Sequence, residues 1–284
     1  MTTIGTQTFG LGKELSANLA GTIQSLHDMG FQAIEPFVLF AKKQGRLPRN
    51  IWTLETLAAA AEQIQQLGMT IPSVHIGVGL GWFSLPVGLL AKNIIKLREQ
   101  YGIRDFAVSG MFCTLTGARR WAKFVRKLSD AVSPSDCRIL YHNHDGEFQS
   151  VHGQNGTVYA MDAFLEAAGS DVMLQMDVGW AGMAGSEMAI TKRYADKIAS
   201  IHLKDFYAVY RNGAYNRRNL PPEAFAPIGA GFVAVRDIVL SLDYLSNFNG
   251  TVIIDQDKSS MDMLQALEIG CGNVLAMLET EGRS

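Results

Sequence analysis

The sequence predicts an α/β fold in which eight parallel strands close into a single (β/α)8 barrel. Three observations lead to this prediction. Short apolar runs alternate with helical patterns along the chain. Most of these runs are continuously apolar, as strands buried on both faces are. The 284 residues also match the ~250 residues that a barrel of eight units requires. An open doubly wound sheet is the competing architecture, because repeated βα units produce parallel strands in both folds.

Eight apolar runs are interpreted as strands because each is short and is followed by turn residues or by a helical pattern. They lie at residues 4–8, 33–36, 70–75, 105–108, 138–142, 172–177, 198–202 and 251–255. Pro36 is expected to end the second strand, since proline has no N–H to donate to a ladder.

The helices between the strands are predicted from apolar positions at helical spacing and from capping residues. They lie at residues 19–29, 53–67, 89–101, 117–131, 161–168, 186–194, 233–245 and 261–278. Thr53 fits an N-cap, because its hydroxyl can accept a first-turn N–H. Gly30 and Gly68 fit positions just after helix ends. No Pro/Gly/Ser-rich linker interrupts the pattern, so we expect one domain over residues 1–284.

Charge and cysteine content narrow the class of protein. The formal net charge is −2 at pH 7, which does not favour a nucleic acid as partner. Cys113, Cys137 and Cys271 are far apart and form no CxxC pair, which indicates a reducing compartment. The sequence shows neither a signal-peptide pattern nor an uninterrupted apolar span. We therefore expect a cytoplasmic protein with no membrane contact.

Charged and imidazole side chains stand at the carboxyl ends of six predicted strands, where a barrel builds its active site. They are Glu35, His75, His142, Asp177, His202 and Asp255. Such groups are costly to bury together unless they are paired or bind a cation. Mixed imidazole and carboxylate ligands suit Mn, Zn, Co, Fe or Mg. The sequence therefore predicts a divalent metal site at this rim.

Taken singly, these residues also have structural interpretations. His75 could be a buried histidine with satisfied hydrogen bonds, and Asp177 could cap the turn that follows it. Asp255 could pair with Lys204 or Lys258. The convergence of the whole set at one rim is what favours the metal site.

Six short motifs occur in order along most of the chain. They are Gly30-Phe-Gln-Ala-Ile-Glu35, Tyr141-His-Asn-His-Asp-Gly-Glu-Phe148, Met176-Asp-Val-Gly-Trp-Ala-Gly182, Ile201-His-Leu-Lys-Asp205, Pro227-Ile-Gly-Ala-Gly231 and Val252-Ile-Ile-Asp-Gln-Asp257. They resemble the second-strand glutamate segment and the HNHDxEF, LDVGW, HLKD, IGxG and VEQD motifs of bacterial sugar phosphate isomerase/epimerase proteins in the xylose-isomerase-like superfamily. The ordered set is specific for the superfamily and not for one substrate.

The resemblance implies four metal ligands, one from each of the last four strands. At the matching positions stand His142, Asp177, His202 and Asp255. Many relatives have glutamates in place of His142 and Asp255, and those two glutamates act as the acid/base pair of the epimerases. In relatives with HNHD, Glu147 could supply the missing carboxylate, so either His142 or Glu147 could be the ligand from the fifth strand.

The resemblance also implies proton transfer next to a carbonyl, with the metal stabilising an enediolate. A metal-bound histidine has one nitrogen committed, so the candidate acid/bases are His144, Glu147 and Glu35. His144 could instead support the ligands. Lys204 is a candidate partner of a substrate oxygen, although it could instead form an ion pair with a neighbouring aspartate, Asp205 or Asp177.

Four further residues are candidates for substrate contact: His75, Trp82, Trp180 and Arg217. The tryptophans follow strand ends and could stack on a sugar face or simply pack at the barrel mouth. Arg217 lies in a long loop, residues 206–226, and could bind a phosphate or carboxylate. A subunit contact by that loop, and hence a homo-oligomer, is the alternative.

We therefore expect a metal-dependent isomerase or epimerase that takes a small carbohydrate as substrate. A lyase or dehydratase acting on a keto-sugar, keto-glycoside or inosose is the main alternative, because it uses the same enolate. A nuclease of the AP-endonuclease kind needs a basic face and more metal ligands than the sequence offers. A non-catalytic sugar-binding barrel is the remaining alternative.

Overall fold

A computed structural model of the chain describes residues 2–40, 50–77, 86–153, 156–211 and 219–280. Eight parallel strands form its centre, as predicted. They are β1 Thr3–Gln7, β2 in two pieces (Ala33–Glu35 and Phe37–Val38), β3 Ser73–Ile76, β4 Asp105–Ser109, β5 Arg138–His142, β6 Met173–Asp177, β7 Ile198–Leu203 and β8 Thr251–Ile254.

Pro36 divides β2 without ending it, contrary to the expectation from the sequence. The first piece pairs with β1, placing Ala33 opposite Gly5. The second pairs with β3, placing Phe37 opposite His75. The carbonyl of Pro36 accepts a hydrogen bond from the His75 N–H at 2.9 Å, so proline stays in the ladder as an acceptor. Because β8 also pairs with β1, the sheet closes, and the open doubly wound alternative is excluded.

Helices surround the strands. In the described residues they are α1 Gly12–Ala17, α2 Leu19–Asp28, α3 Leu54–Gln66, α4 Val87–Tyr101, α5 Leu115–Val132, α6 Ala160–Ala168, α7 Val178–Ala184, α8 Glu187–Arg193, α9 Val235–Leu240 and α10 Met263–Glu279. None of them combines the length and apolar character needed to cross a membrane.

Several elements were not predicted from the sequence. They include the short helices α1 and α7 and a hairpin of Ser150–Gly153 with Gly156–Tyr159. The helix predicted for 233–245 ends at Leu240 and is followed by a separate 3-10 turn. Short helices of this kind are held by caps and packing rather than by a long apolar period, which is why periodicity does not reveal them.

The barrel interior changes from apolar to polar along its axis. Ala107, Leu140 and Ala199 form a small buried cluster. Since side chains alternate across a strand, Leu140 and His142 point to the same side of β5. At the amino-terminal end of the strands, Asp105 receives two hydrogen bonds of 2.7 Å from Arg138. The polar groups at the carboxyl ends are therefore separated from this ion pair by apolar side chains.

Asp205 anchors the connection after β7. It begins a two-residue strand that pairs with Phe225–Ala226. Its carboxylate accepts backbone N–H groups of Gly229, Gly231 and Val233 at 2.8–3.1 Å, besides that of the next residue. A Cβ at position 231 would lie 2.1 Å from this carboxylate. The second glycine of the Ile-Gly-Ala-Gly motif is thus required by the close approach of Asp205.

Replacing Asp205 with alanine leaves these buried N–H groups without their acceptor. An unsatisfied buried donor costs about 1–3 kcal/mol, so we expect the free energy of unfolding to fall by about 3 kcal/mol in urea denaturation. Glu268→Ala, at an exposed position of α10, is the control and should change it by less than ~0.5 kcal/mol. An Asp205→Ala protein as stable as the wild type would contradict the anchoring role.

Candidate metal centre

Four buried side chains meet at the carboxyl end of the barrel. They are His142, Asp177, His202 and Asp255, and their ligand atoms lie within 4.8 Å of one another. Metal–ligand distances of ~2.0–2.2 Å place two ligand atoms up to ~4.4 Å apart. The structure therefore brings the four predicted ligands to nearly the spacing that one ion requires.

Two carboxylate oxygens of this cluster lack hydrogen bonds. Asp177 Oδ2 and Asp255 Oδ1 are buried and have no hydrogen-bond partner among the described residues. His142 Nε2 faces the first of them at 3.8 Å. Asp177 Oδ2 has an ion pair with Lys204 at 3.2 Å but no hydrogen bond. Buried charged oxygens without hydrogen bonds are costly, and a divalent cation would satisfy both. The donor set thus fits a metal ion of the kind that imidazole and carboxylate ligands bind.

Glu35 is fully buried beside this cluster and contacts four side chains. Gln7 Nε2 donates to Oε1 at 3.0 Å, and Gln175 Nε2 donates to Oε2 at 2.7 Å. Ser73 also donates to Oε2, and His202 Nε2 lies 3.0 Å from Oε1. Burial alone would raise the pKa of Glu35, but the nearby histidines and the donors outweigh it and lower the pKa to about 2. The carboxylate is therefore ionised, and each of its oxygens has polar partners.

His202 lies between two carboxylates. Its other nitrogen, Nδ1, is 3.2 Å from Asp255 Oδ2. Burial acts to lower the pKa of His202, yet Glu35 and Asp255 together raise it to about 10. Without a cation in the cluster, the ring is therefore an imidazolium.

Lys204 brings an ammonium group into the same cluster. Its Nζ lies 2.9 Å from Asp255 Oδ2, 3.2 Å from Asp177 Oδ2 and 2.8 Å from Asp257 Oδ2. Burial opposes the charge, but these three carboxylates raise the pKa of Lys204 well above its ordinary value. Of the two alternative ion-pair partners considered for Lys204, Asp177 contacts it, whereas the Asp205 carboxylate binds its own loop.

His142 and His75 are neutral members of the site. His142 Nδ1 lies 3.1 Å from the side-chain oxygen of Gln175. His75 contacts Gln7 Nε2 at 3.2 Å and Ser109 Oγ at 3.1 Å, and its ring centre is 4.9 Å from that of His142. Burial lowers the pKa of His75 to about 4. It lowers the pKa of His142 well below the ordinary value.

His144 and Trp180 form the edge of the cluster. The ring of His144 is 5.5 Å from that of His142 and 5.9 Å from Trp180. Burial and the nearby Lys204 lower the pKa of His144 to about 4, so it is an unprotonated base. Trp180 lies in the first turn of α7. Asp177 caps this helix, because its Oδ1 accepts a hydrogen bond from the backbone N–H of Trp180 at 2.8 Å.

The structure does not bring Glu147 into the cluster. Its Oε1 accepts a hydrogen bond of 2.7 Å from the Tyr141 hydroxyl, and its Oε2 accepts the His144 N–H at 3.2 Å. Tyr141 packs on Phe164 of α6 and therefore points to the outer side of β5, opposite His142. Glu147 lies on that outer side, and burial raises its pKa to about 8. Between the two candidate ligands from β5, only His142 stands in the group of four.

Two of the predicted substrate contacts, Trp82 and Arg217, lie outside the described residues. His75 and Trp180 are close to the cluster, as given above.

Sequence reasoning missed several polar residues of the site. Gln175 is two positions before Asp177 and so shares its face of β6, and Gln7 ends β1 at the same rim. For both residues, the position on the strand was the signal in the sequence. Asn143 binds the backbone N–H and C=O of Asp177 at 3.0 Å each, which ties the end of β5 to β6. Asp257 ends the Val252-Ile-Ile-Asp-Gln-Asp257 motif in the loop after β8, but that motif does not reveal its contact with Lys204.

The fold and the ligand cluster agree with the protein family that the sequence matches. Residues 23–268 match the family model described as "Xylose isomerase-like TIM barrel". The chain belongs to this family. No functionally curated protein matches it significantly in sequence.

Solved structures share the fold at low sequence identity. A sugar phosphate isomerase/epimerase from Parabacteroides distasonis ATCC 8503 is 16% identical with a TM-score of 0.74, covering 96% of this chain and 95% of its own. A xylose isomerase-like TIM barrel protein from Mycobacterium smegmatis in complex with magnesium is 13% identical, with a TM-score of 0.69 and coverage of 100% and 98%. The probable 3-DHS dehydratase AsbF from Bacillus anthracis is 10% identical, with a TM-score of 0.66 and coverage of 96% and 98%.

The raised pKa of Glu147 predicts a pH-dependent stability difference. A folded-state pKa of about 8, raised from 4.5 by burial, stabilises the fold fully below pH 4.5, and this contribution is lost as the pH rises through about 8. Glu147→Gln keeps the shape and removes the titration. Relative to wild type, the variant should therefore gain stability steadily between pH 5 and pH 8 in urea unfolding. Asp171→Asn, at an exposed carboxylate, is the control; a Glu147→Gln profile parallel to wild type would refute the prediction.

Proposed function

We propose that the chain is a divalent-metal-dependent isomerase or epimerase acting on a polyhydroxylated carbonyl substrate, a sugar or sugar phosphate. The observation that carries the proposal is the cluster of four buried ligand groups, in which Asp177 Oδ2 and Asp255 Oδ1 lack hydrogen-bond partners. Family membership supports it, as do the structural relatives named as a sugar phosphate isomerase/epimerase and as a magnesium complex.

The chemistry requires an acid/base next to the ion. A divalent cation, when bound, polarises the oxygens of the substrate carbonyl and stabilises the enediolate. His144 is the base that the geometry favours, because it is neutral and lies beside His142. It takes the proton from the carbon next to the carbonyl, the C–H electrons form the C=C bond, and the C=O π electrons move to the carbonyl oxygen. Return of the proton to the neighbouring carbon, with transfer of the hydroxyl proton between the two substrate oxygens, gives isomerisation. Epimerisation requires a second group that donates a proton to the opposite face of the same carbon.

Lys204 is the second group with a direct role. Its ammonium lies between Asp177 and Asp255 and is 5.6 Å from the centre of the Trp180 ring. A fixed positive charge at that place would stabilise negative charge that develops on a substrate oxygen. Asp257, 2.8 Å from Nζ, holds the ammonium there.

A lyase or dehydratase is the second candidate, and one observation favours it. Among the described residues, the cluster offers no pair of free carboxylates. Both oxygens of Glu35 already have partners, and Glu147 lies on the outer side of β5, away from the cluster. An elimination removes one proton and expels a group β to the carbonyl, so it needs no second base on the opposite face. The structural similarity to a probable dehydratase is compatible with this chemistry.

Metal content is the first test. Purified wild-type protein should bind about one divalent ion per chain, measured by elemental analysis after loading with Mn or Zn and desalting. The double variant Asp177→Ala/His202→Ala should lose it, whereas Asp105→Asn, at the other end of the barrel, should retain it. Wild-type protein that binds no metal would overturn the proposed function.

Substrate screening in deuterated water separates the two candidate reactions. Deuterium incorporated at the carbon next to the carbonyl, with an unchanged carbon skeleton, indicates an isomerase or epimerase. Release of water or of an aglycone from a keto-sugar or keto-glycoside indicates the lyase. His144→Ala should lower either rate by about 10²-fold or more with metal content unchanged.

Replacing Lys204 with methionine should separate catalysis from metal binding. Removing a positive charge next to the ligands should not weaken cation binding, and loss of a fixed charge that stabilises the transition state costs about 10²-fold or more in kcat. Metal affinity is measured by competition with a chelator, and Lys204→Arg is the charge-retaining control. If metal and activity were lost together, Lys204 would instead be a support of the ligand cluster.

A further inference from the structure

We propose that Glu35 and Gln175 are positioning residues that decide which nitrogen each imidazole ligand presents, so that His142 offers Nε2 and His202 offers Nδ1 to the metal. The proposal rests on the metal site proposed above. It goes further by giving a role to two buried polar residues that the proton transfer does not use.

The orientation of the Gln175 amide follows from its neighbours. The NH2 of Gln175 donates to Glu35 Oε2 at 2.7 Å, beside the hydroxyl of Ser73. Its oxygen then faces His142 Nδ1 at 3.1 Å. An amide oxygen only accepts hydrogen bonds, so the proton of His142 is on Nδ1. Nε2 keeps its lone pair and faces Asp177 Oδ2 at 3.8 Å.

The protonation of His202 follows from the same carboxylate. Nε2 is buried 3.0 Å from Glu35 Oε1, although the pair does not have the geometry of a hydrogen bond. Nδ1 lies 3.2 Å from Asp255 Oδ2, a member of the group of four ligands, whereas Glu35 is outside that group. Nδ1 is therefore the nitrogen that faces the ion, and the proton stays on Nε2 beside Glu35. The two imidazoles therefore use different nitrogens.

Glu35 can act in this way because it is itself fixed. Gln7 holds Oε1, and Ser73 holds Oε2. One carboxylate thus orients His202 directly and His142 through the amide of Gln175. A glutamate at position 175 would repel Glu35, and an aliphatic residue would leave His142 Nδ1 without an acceptor. Carboxylate and amide partners of this kind commonly set the tautomer of metal-binding histidines.

Nuclear magnetic resonance of zinc-loaded wild-type protein tests the assignment directly. With 15N-labelled histidine, long-range ¹H–¹⁵N correlations distinguish protonated from metal-bound ring nitrogens. The expected result is a proton on Nδ1 of His142 and on Nε2 of His202, with signals assigned through His75→Gln and His144→Gln. The opposite tautomer at either ligand overturns the proposal.

Two variants test the dependence of both ligands on one carboxylate. Gln175→Leu should weaken zinc binding by about 10–100-fold and alter the His142 signals alone. Glu35→Gln should weaken it by at least as much and alter the signals of both histidines. In the double variant, the effect of Gln175→Leu should shrink, because the amide acts through the same carboxylate.

Asp105→Asn is the matched control. It removes another buried carboxylate, which is bound to Arg138 at the opposite end of the barrel. It should lower the melting temperature and leave zinc affinity unchanged. Wild-type affinity in both Gln175→Leu and Glu35→Gln would overturn the positioning role while leaving the metal site intact. Failure of the wild type to bind zinc would overturn the proposed function together with this inference.

Discussion

The concentration of buried negative charge at the carboxyl end of the barrel is the constraint on which the rest of the site depends. Glu35, Asp177 and Asp255 are each at most 3% exposed, and isolated carboxylates in such surroundings would be neutralised or paired. The chain compensates them with Lys204 and His202. Two carboxylate oxygens remain without hydrogen bonds, so the compensation from the protein is incomplete. A divalent cation would complete it.

Much of the fold could be predicted from the sequence, and the reason is local. Continuously apolar runs identify strands buried on both faces, and the polar residues that follow six of the runs mark the carboxyl-terminal rim of the barrel. The expectation for Pro36 was wrong because it rested on the N–H that proline lacks, whereas β3 bonds to the Pro36 carbonyl. The helix α7 was missed because its start depends on the Asp177 side chain and not on an apolar period.

The candidate site was predictable for the four proposed ligands and much less so for their neighbours. A ligand at a strand end is recognised by position and motif, but the role of a glutamate depends on what surrounds it. Glu35 and Glu147 were both predicted as acid/bases. The structure saturates Glu35 with contacts and places Glu147 beside Tyr141. These environments depend on strand parity and on packing between distant segments, which no local pattern encodes.

Asp177 joins two parts of the molecule with one carboxylate. Oδ1 caps α7, and Oδ2 belongs to the ligand cluster, while Asn143 binds the backbone of the same residue. The helix carrying Trp180 is thereby aligned on the aspartate whose other oxygen lies in the ligand cluster. Exchange of the Trp180 side chain would change the aromatic surface beside the cluster, but helix α7 cannot shift as a whole without moving Asp177.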